Sequence, residues 1–212
     1  MQLPARVEVC EVGPRDGLQN EAANVPTADK IRLIEALAQT GVRRMEATSF
    51  VAPKWIPKLA DAGEVLAGIR RQPGVAYAAL VPNIKGLERA LAAKVDEAVI
   101  FLSASETHSQ KNINKSIAEA LETYLEVAAR AKQAGLRLKG AISTCFGCPY
   151  AKGATGNVAT EDLVHMLHEM GIETGMDLER LIECAKLAQD LVGRPLEGHV
   201  AKTGPVNPDL LT

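Results

Sequence analysis

Short apolar runs alternate with helix-patterned segments through the first two thirds of the chain, and the connections between them are short. The runs fall at residues 7–12, 42–50, 75–81, 98–102 and 136–144. The third, Val75-Ala76-Tyr77-Ala78-Ala79-Leu80-Val81, is apolar on both faces, as a strand buried in a parallel sheet must be. Between the runs, Ile31, Ile34, Leu37 and Ala38 recur at helical spacing, with Thr27 placed to cap and Gly41 to stop that helix. Leu59, Val65, Leu66 and Ile69 give residues 57–71 an apolar helical face, and residues 84–93 read as a short helix. Ser116-Ile117-Ala118-Glu119 is a capping box that opens a long helix to about Ala134. A repeated β-then-α unit implies a parallel α/β sheet.

The pattern then breaks. A glycine-rich loop, Gly153-Ala154-Thr155-Gly156-Asn157, leads to a helix from Thr160 to Gly171 and another from Asp177 to about Val192. A polar tail with Pro195, Pro205 and Pro208 follows. No sixth, seventh or eighth strand is legible, whereas a closed eight-stranded barrel takes about 250 residues. Five βα units followed by helices make an open sheet or an incomplete barrel, read as one domain over residues 1–212.

At 212 residues, 47% hydrophobic and 24% charged, the chain has the make-up of a globular protein. A net charge of −2 with no basic run argues against nucleic acid or anionic membrane as partner. No signal-like leader or membrane-length apolar run is present, so a cytoplasmic location is expected. Four scattered cysteines, Cys10, Cys145, Cys148 and Cys184, do not make a disulfide framework.

Chemistry concentrates where the first run ends. Glu11 to Glu21 packs Arg15, Asp16, two amides and further acids around Gly17. Polar groups at the C-terminal ends of parallel strands read as catalytic; the alternative is a polar turn with a surface ion pair. Asp16, with Glu46 one strand along, offers hard oxygen ligands or a carboxylate pair for proton transfer. Arg15 supplies a fixed positive charge for an enolate oxygen or a substrate carboxylate. Cys145-Phe146-Gly147-Cys148 lacks the second pair or the spaced histidine of a zinc site. A lone thiol acting on a proton fits it, and so does an inert buried cysteine. His165 and His168 lie three apart on one helix, a spacing that suits a metal or a solvent edge. The polar loop of residues 109–115, with Lys111 and Lys115, suits a phosphate or plain solvent.

These residues resemble hydroxymethylglutaryl-CoA lyases. The likeness is carried by Val12 to Glu21, Glu46 to Trp55, Val81 to Gly86, Ser105-Glu106 with Lys111 to Asn114, Cys145 to Tyr150, and Gly153 to Leu163. That family is a (β/α)8 barrel of the metal-dependent TIM-barrel lyases. It cleaves 3-hydroxy-3-methylglutaryl-CoA to acetyl-CoA and acetoacetate in leucine breakdown and ketone-body metabolism. The resemblance implies an acyl-CoA substrate and a divalent metal, Mg²⁺ or Mn²⁺, on Asp16 and Asn157. It implies Arg15 steadying the enolate-forming carbonyl, Glu46 as a supporting carboxylate, Glu161 as a further acid and Cys148 as the proton-handling thiol.

The departures from the family define a second expectation. Its H-x-H metal pair is missing: His108, His165, His168 and His199 form no such pair. Its G-C-P-Y motif stands here once instead of twice, with the first copy's neighbours before it and the second copy's after it. An in-frame deletion between the two copies, with its junction near residues 147–151, would remove roughly three βα units. The result is an incomplete barrel of about five units plus C-terminal helices. Its metal set is incomplete, its activity is reduced, and its open sheet edge is prone to homo-oligomerisation. The alternatives are a non-catalytic remnant that binds CoA esters or an intact paralogue, or another acyl-CoA lyase or synthase of the same superfamily.

Overall fold

The structure is a computed structural model describing residues 2–145 and 157–205. Five parallel strands form one sheet in the order of the sequence: β1 (Cys10–Glu11), β2 (Arg44–Ser49), β3 (Ala76–Leu80), β4 (Glu97–Ser103) and β5 (Arg137–Ser143). Each strand lies beside its sequence neighbour because a helical segment carries the chain back across one face every time. These are α2 (Thr27–Ala38), α3 (Ala62–Gly68), α4 (Ile84–Ala92) and α6 (Ile117–Gln133). Among the described residues no further strand follows, so the incomplete barrel is present as expected.

Period-two alternation divides the strands between two faces. Met45, Ala47, Tyr77, Ala79 and Ala98 point into the main core, against Ile34, Leu37, Ala62, Val65, Leu87 and Val127 of the helices. Ala78, Leu80 and Val99 form a small separate cluster on the other face. That inner face also carries Glu46, in register with Ala78, and Lys139, in register with Val99. At Ala47 the β2–β3 register slips by one residue, a bulge of the kind that re-aims side chains beside sites.

The C-terminal helices close the β1 side. α7 (Thr160–Glu169) and α8 (Leu178–Val192) pack on each other, and α8 packs on α2. Glu173 exchanges backbone hydrogen bonds with Ala5 and Val7 at 3.0 and 2.9 Å, so the chain after α7 runs beside the segment leading into β1. Asp177 N–H donates to the Thr40 carbonyl at 2.7 Å. Gly41, at φ +85°, brings the end of α2 against Gly175.

Several sequence expectations are corrected. The first strand is shorter than residues 7–12, because Val7 bonds to Glu173 and the chain turns at Gly13. Thr27 is the first residue of α2, not its cap; its hydroxyl donates to Asp61 at 2.7 Å. Residues 57–71 split into a 3-10 turn, Pro57–Leu59, and α3. The polar segment after β4 holds a helix, α5 (Glu106–Ile113), capped by Ser105 and ended by Asn114 at φ +53°. The polar tail holds one turn, α9 (Val200–Thr203). The capping box of α6 and the Asp177 cap of α8 are both formed.

Unlike β2 and β3, which are buried along nearly their whole length, β5 has one face half-buried, with Lys139, Ala141 and Ser143, and the other exposed. The helix layer stops at α6, whose Leu121 and Leu125 face solvent together with Leu138 and Ile142 of β5.

Candidate active site

The polar stretch after β1 is helical. Gly13–Gly17 forms a π-helical turn that runs into α1 (Leu18–Asn20). Glu11 anchors its start: the carboxylate, itself buried, accepts from the Gly13 N–H at 2.5 Å. The turn swings Arg15 across the end of β2. Its Nε and Nη2 donate to Glu46 Oε2 at 2.9 and 2.6 Å, and Nη1 donates to Asp16 Oδ1 at 2.5 Å. Asn157 Nδ2 donates to the other oxygen of Asp16, again at 2.5 Å. Arg15, Asp16, Glu46 and Asn157, drawn from segments up to 141 residues apart, are therefore one assembly. Two of the five guanidinium N–H groups remain free of these bonds, enough to meet one substrate oxygen.

Lys139 completes the charge balance and was not singled out in the sequence. Its Nζ lies 3.4 Å from Glu46 Oε1 and 3.5 Å from Cys10 Sγ. Glu46, with its side chain 4% exposed, thus sits between two cations. The available signal was a lysine at an inward position of a strand that alternates. Cys10 is a half-buried free thiol. It faces the same inner side, where burial raises its pKa against the opposing pull of Lys139.

Glu161 lines a cavity of about 310 Å³ that adjoins the assembly through Asn157. Glu11, Gly13, Leu37 and Cys184 also line it, while Arg15 and Asp16 do not. Gly198 abuts Glu161 so closely that a Cβ would stand 2.0 Å from its carboxylate. Burial raises the pKa of Glu161, and the neighbouring charges of Asp162 and Glu11 raise it further. Burial drives the Cys184 thiol up to about 12, as in an unreactive core cysteine. Several acids against Arg194, which Glu21 already pairs, make this cavity unsuited to a phosphate.

A carboxyl whose pKa is raised by folding stabilises the fold below its unfolded value and loses that contribution as pH rises to the folded value. Glu161→Gln is therefore expected to raise Tm at pH 7.5. The gain should vanish below pH of about 4.3, the ordinary glutamate value. Thermal melts across pH 3.5–8 check this; a pH-independent difference would refute it.

The remaining expectations separate. Cys148 and the junction region lie outside the described residues. His168 bonds Thr174 Oγ1 at 2.8 Å, and Asp162 pairs with His199, so neither histidine enters the site. Among the described residues no three His, Cys, Asp or Glu side chains converge as a metal group. A hard divalent cation takes about six ligands. Here Asp16 is engaged by Arg15 and Asn157, so the described residues do not by themselves fit such an ion held by protein groups. No described helix is long and apolar enough to cross a membrane.

Comparison with known proteins agrees with this geometry. A hydroxymethylglutaryl-CoA lyase of Bacillus subtilis (strain 168) is 36% identical over 288 aligned positions, covering 92% of this chain and 96% of the relative. An alignment of that span cannot be filled by 212 residues, so the relative has an internal block without counterpart here. The crystal structure of hydroxymethylglutaryl-CoA lyase from Pseudomonas aeruginosa superposes with TM-score 0.90 at 33% identity, over 96% of this chain and 98% of that one. An HMG-CoA lyase from Acinetobacter baumannii, solved with coenzyme A and 3-methylmalate, gives 0.89 at 29% identity, over 98% of each chain. A family model described as HMGL-like matches residues 6–155, and the chain belongs to that lyase family as a shortened, half-barrel member.

Proposed function

We propose that this chain acts on 3-hydroxy-3-methylglutaryl-CoA, or a close acyl-CoA analogue, as a carbon–carbon lyase of severely reduced rate. The observation that carries this reading is the Arg15–Asp16–Glu46–Asn157 assembly at the C-terminal ends of β1 and β2. Retro-aldol cleavage needs a hydroxyl proton removed, an enolate oxygen stabilised and the carbanion protonated. The two free N–H groups of Arg15 supply the second requirement, held in place by buried Glu46. Lys139 gives Glu46 a second counter-charge at 3.4 Å without being needed as a substrate contact.

The same assembly sets the limit. Asp16 and Asn157 are the metal-capable groups proposed here, and they bond each other. We place the deletion junction near residues 147–151, so that Cys148 follows the fifth strand in sequence where the family's catalytic copy would not. With electrostatic stabilisation of the reacting oxygens reduced, turnover should fall by on the order of 10³-fold or more.

Acetoacetate release by the purified chain, with Mg²⁺ or Mn²⁺, against the Bacillus subtilis relative, tests the proposal. A rate within tenfold of the relative would overturn the reduced activity. Binding of the CoA ester without any Arg15-dependent turnover would instead favour a binding remnant.

A further inference from the structure

We infer that the outer edge of β5 takes a second copy of this chain, strand antiparallel to strand, about a two-fold axis at Gly140. β5 ends the sheet, so one side of its backbone has no ladder partner among the described residues. α6 packs on β5, and its Leu121 and Leu125 are 48% and 61% exposed; Leu138 and Ile142 of β5 are 36% and 67% exposed. A long edge with open N–H and C=O groups and exposed apolar side chains is a template for another strand.

The occupant is chosen by the strand's own pattern. Centred on Gly140, antiparallel pairing sets Leu138 opposite Ile142, Arg137 opposite Ser143 and Lys139 opposite Ala141. Both apolar pairs fall on the outer face, continuous with α6, and no cation faces a cation. A parallel in-register pair would instead oppose Arg137 to Arg137 and Lys139 to Lys139, which repel. The cations of β5 are also already engaged, Arg137 by the Asp96 carbonyl and Lys139 by Glu46, so they do little to guard the edge. An added Cβ at Gly140 meets nothing within 4 Å, so the axis position has room. A two-fold contact of this kind uses the same patch on both copies and closes at a dimer. It is independent of the catalytic reading.

Sedimentation equilibrium on the full chain tests it, with circular dichroism as the folding control. The unaltered chain should be a dimer. Leu138→Lys with Ile142→Lys puts like charges in both cross-strand pairs and should weaken the dimer by at least about tenfold. Leu138→Lys with Ile142→Glu makes each pair Lys–Glu in the antiparallel register and should stay dimeric. With Cys145 and Cys148 replaced by Ser, Gly140→Cys should gain a disulfide-linked dimer on mild oxidation that the same background with Gly140 does not form. A monomeric parent overturns the inference. So does a double-lysine chain that dimerises unchanged, a Lys/Glu chain that is folded but monomeric, or a Gly140→Cys chain with no added cross-link.

Discussion

Arg15→Met is expected to lower the unfolding free energy by ~3 kcal/mol and to remove any turnover the chain has. Glu46 is 4% exposed and takes two of its three short polar contacts from the guanidinium. Without Arg15, the carboxylate keeps Lys139 at 3.4 Å as its counter-charge. Breaking a buried pair from one side typically costs about 3–5 kcal/mol. The lower end applies here, because Arg15 is 16% exposed and Lys139 remains. Arg15→Met with Glu46→Met removes both charges and should recover most of the loss, since the penalty comes from the orphaned carboxylate. Urea denaturation of the four members of this cycle gives the coupling energy. A single variant within ~0.5 kcal/mol of the parent would show that the pair holds nothing together.

Gly41→Ala should cost as much from backbone and steric causes alone. At φ +85° an L-residue is strained by about 1–2 kcal/mol. The added Cβ would also stand 2.3 Å from the Gly175 carbonyl oxygen, a backbone atom with little freedom to move. The sum, ~3 kcal/mol, corresponds to a Tm drop of roughly 10 °C for a chain this size. Gly135→Ala is the matched control. Its φ is +69°, and a Cβ there meets nothing within 4 Å, so strain acts without the clash. Equal Tm losses in the two variants would mean that the contact between residues 41 and 175 gives way freely.

The elements that sequence made legible are those specified locally. Ser116 and Glu119 sit three residues apart and cap each other, and Asp177 caps α8 by the same local chemistry. The apolar run at 75–81 needed no partner to be read as a buried strand. α5 escaped because Glu106-Thr107-His108-Ser109-Gln110-Lys111-Asn112-Ile113 has almost no apolar period to betray a helix. Arg15, Asp16 and Glu46 were legible because their types are unusual at strand ends. Lys139 was not, since its meaning lies in Glu46 and Cys10, 93 and 129 residues away. Glu161 came from family resemblance, and it shares a cavity with Asn157 that Arg15 does not line.

The seam between the two ends of the chain has a kinetic consequence. α8 packs on α2, and the segment before β1 is bonded to Glu173, so both complete their packing only when a distant part of the chain arrives. On a ribosome, the part of α2 that α8 covers must stay open until residue 192 has emerged, although α3 packs on α2 earlier. Such long-range closure slows folding. Shortening the chain between α2 and α8 relieves it only slightly, since halving a loop is worth about 0.6 kcal/mol. A block can thus be lost from the middle without undoing the seam, because closure depends on the ends. The lost block costs wall, not closure, and the waiting time before the chain is sealed is set by its last long helix.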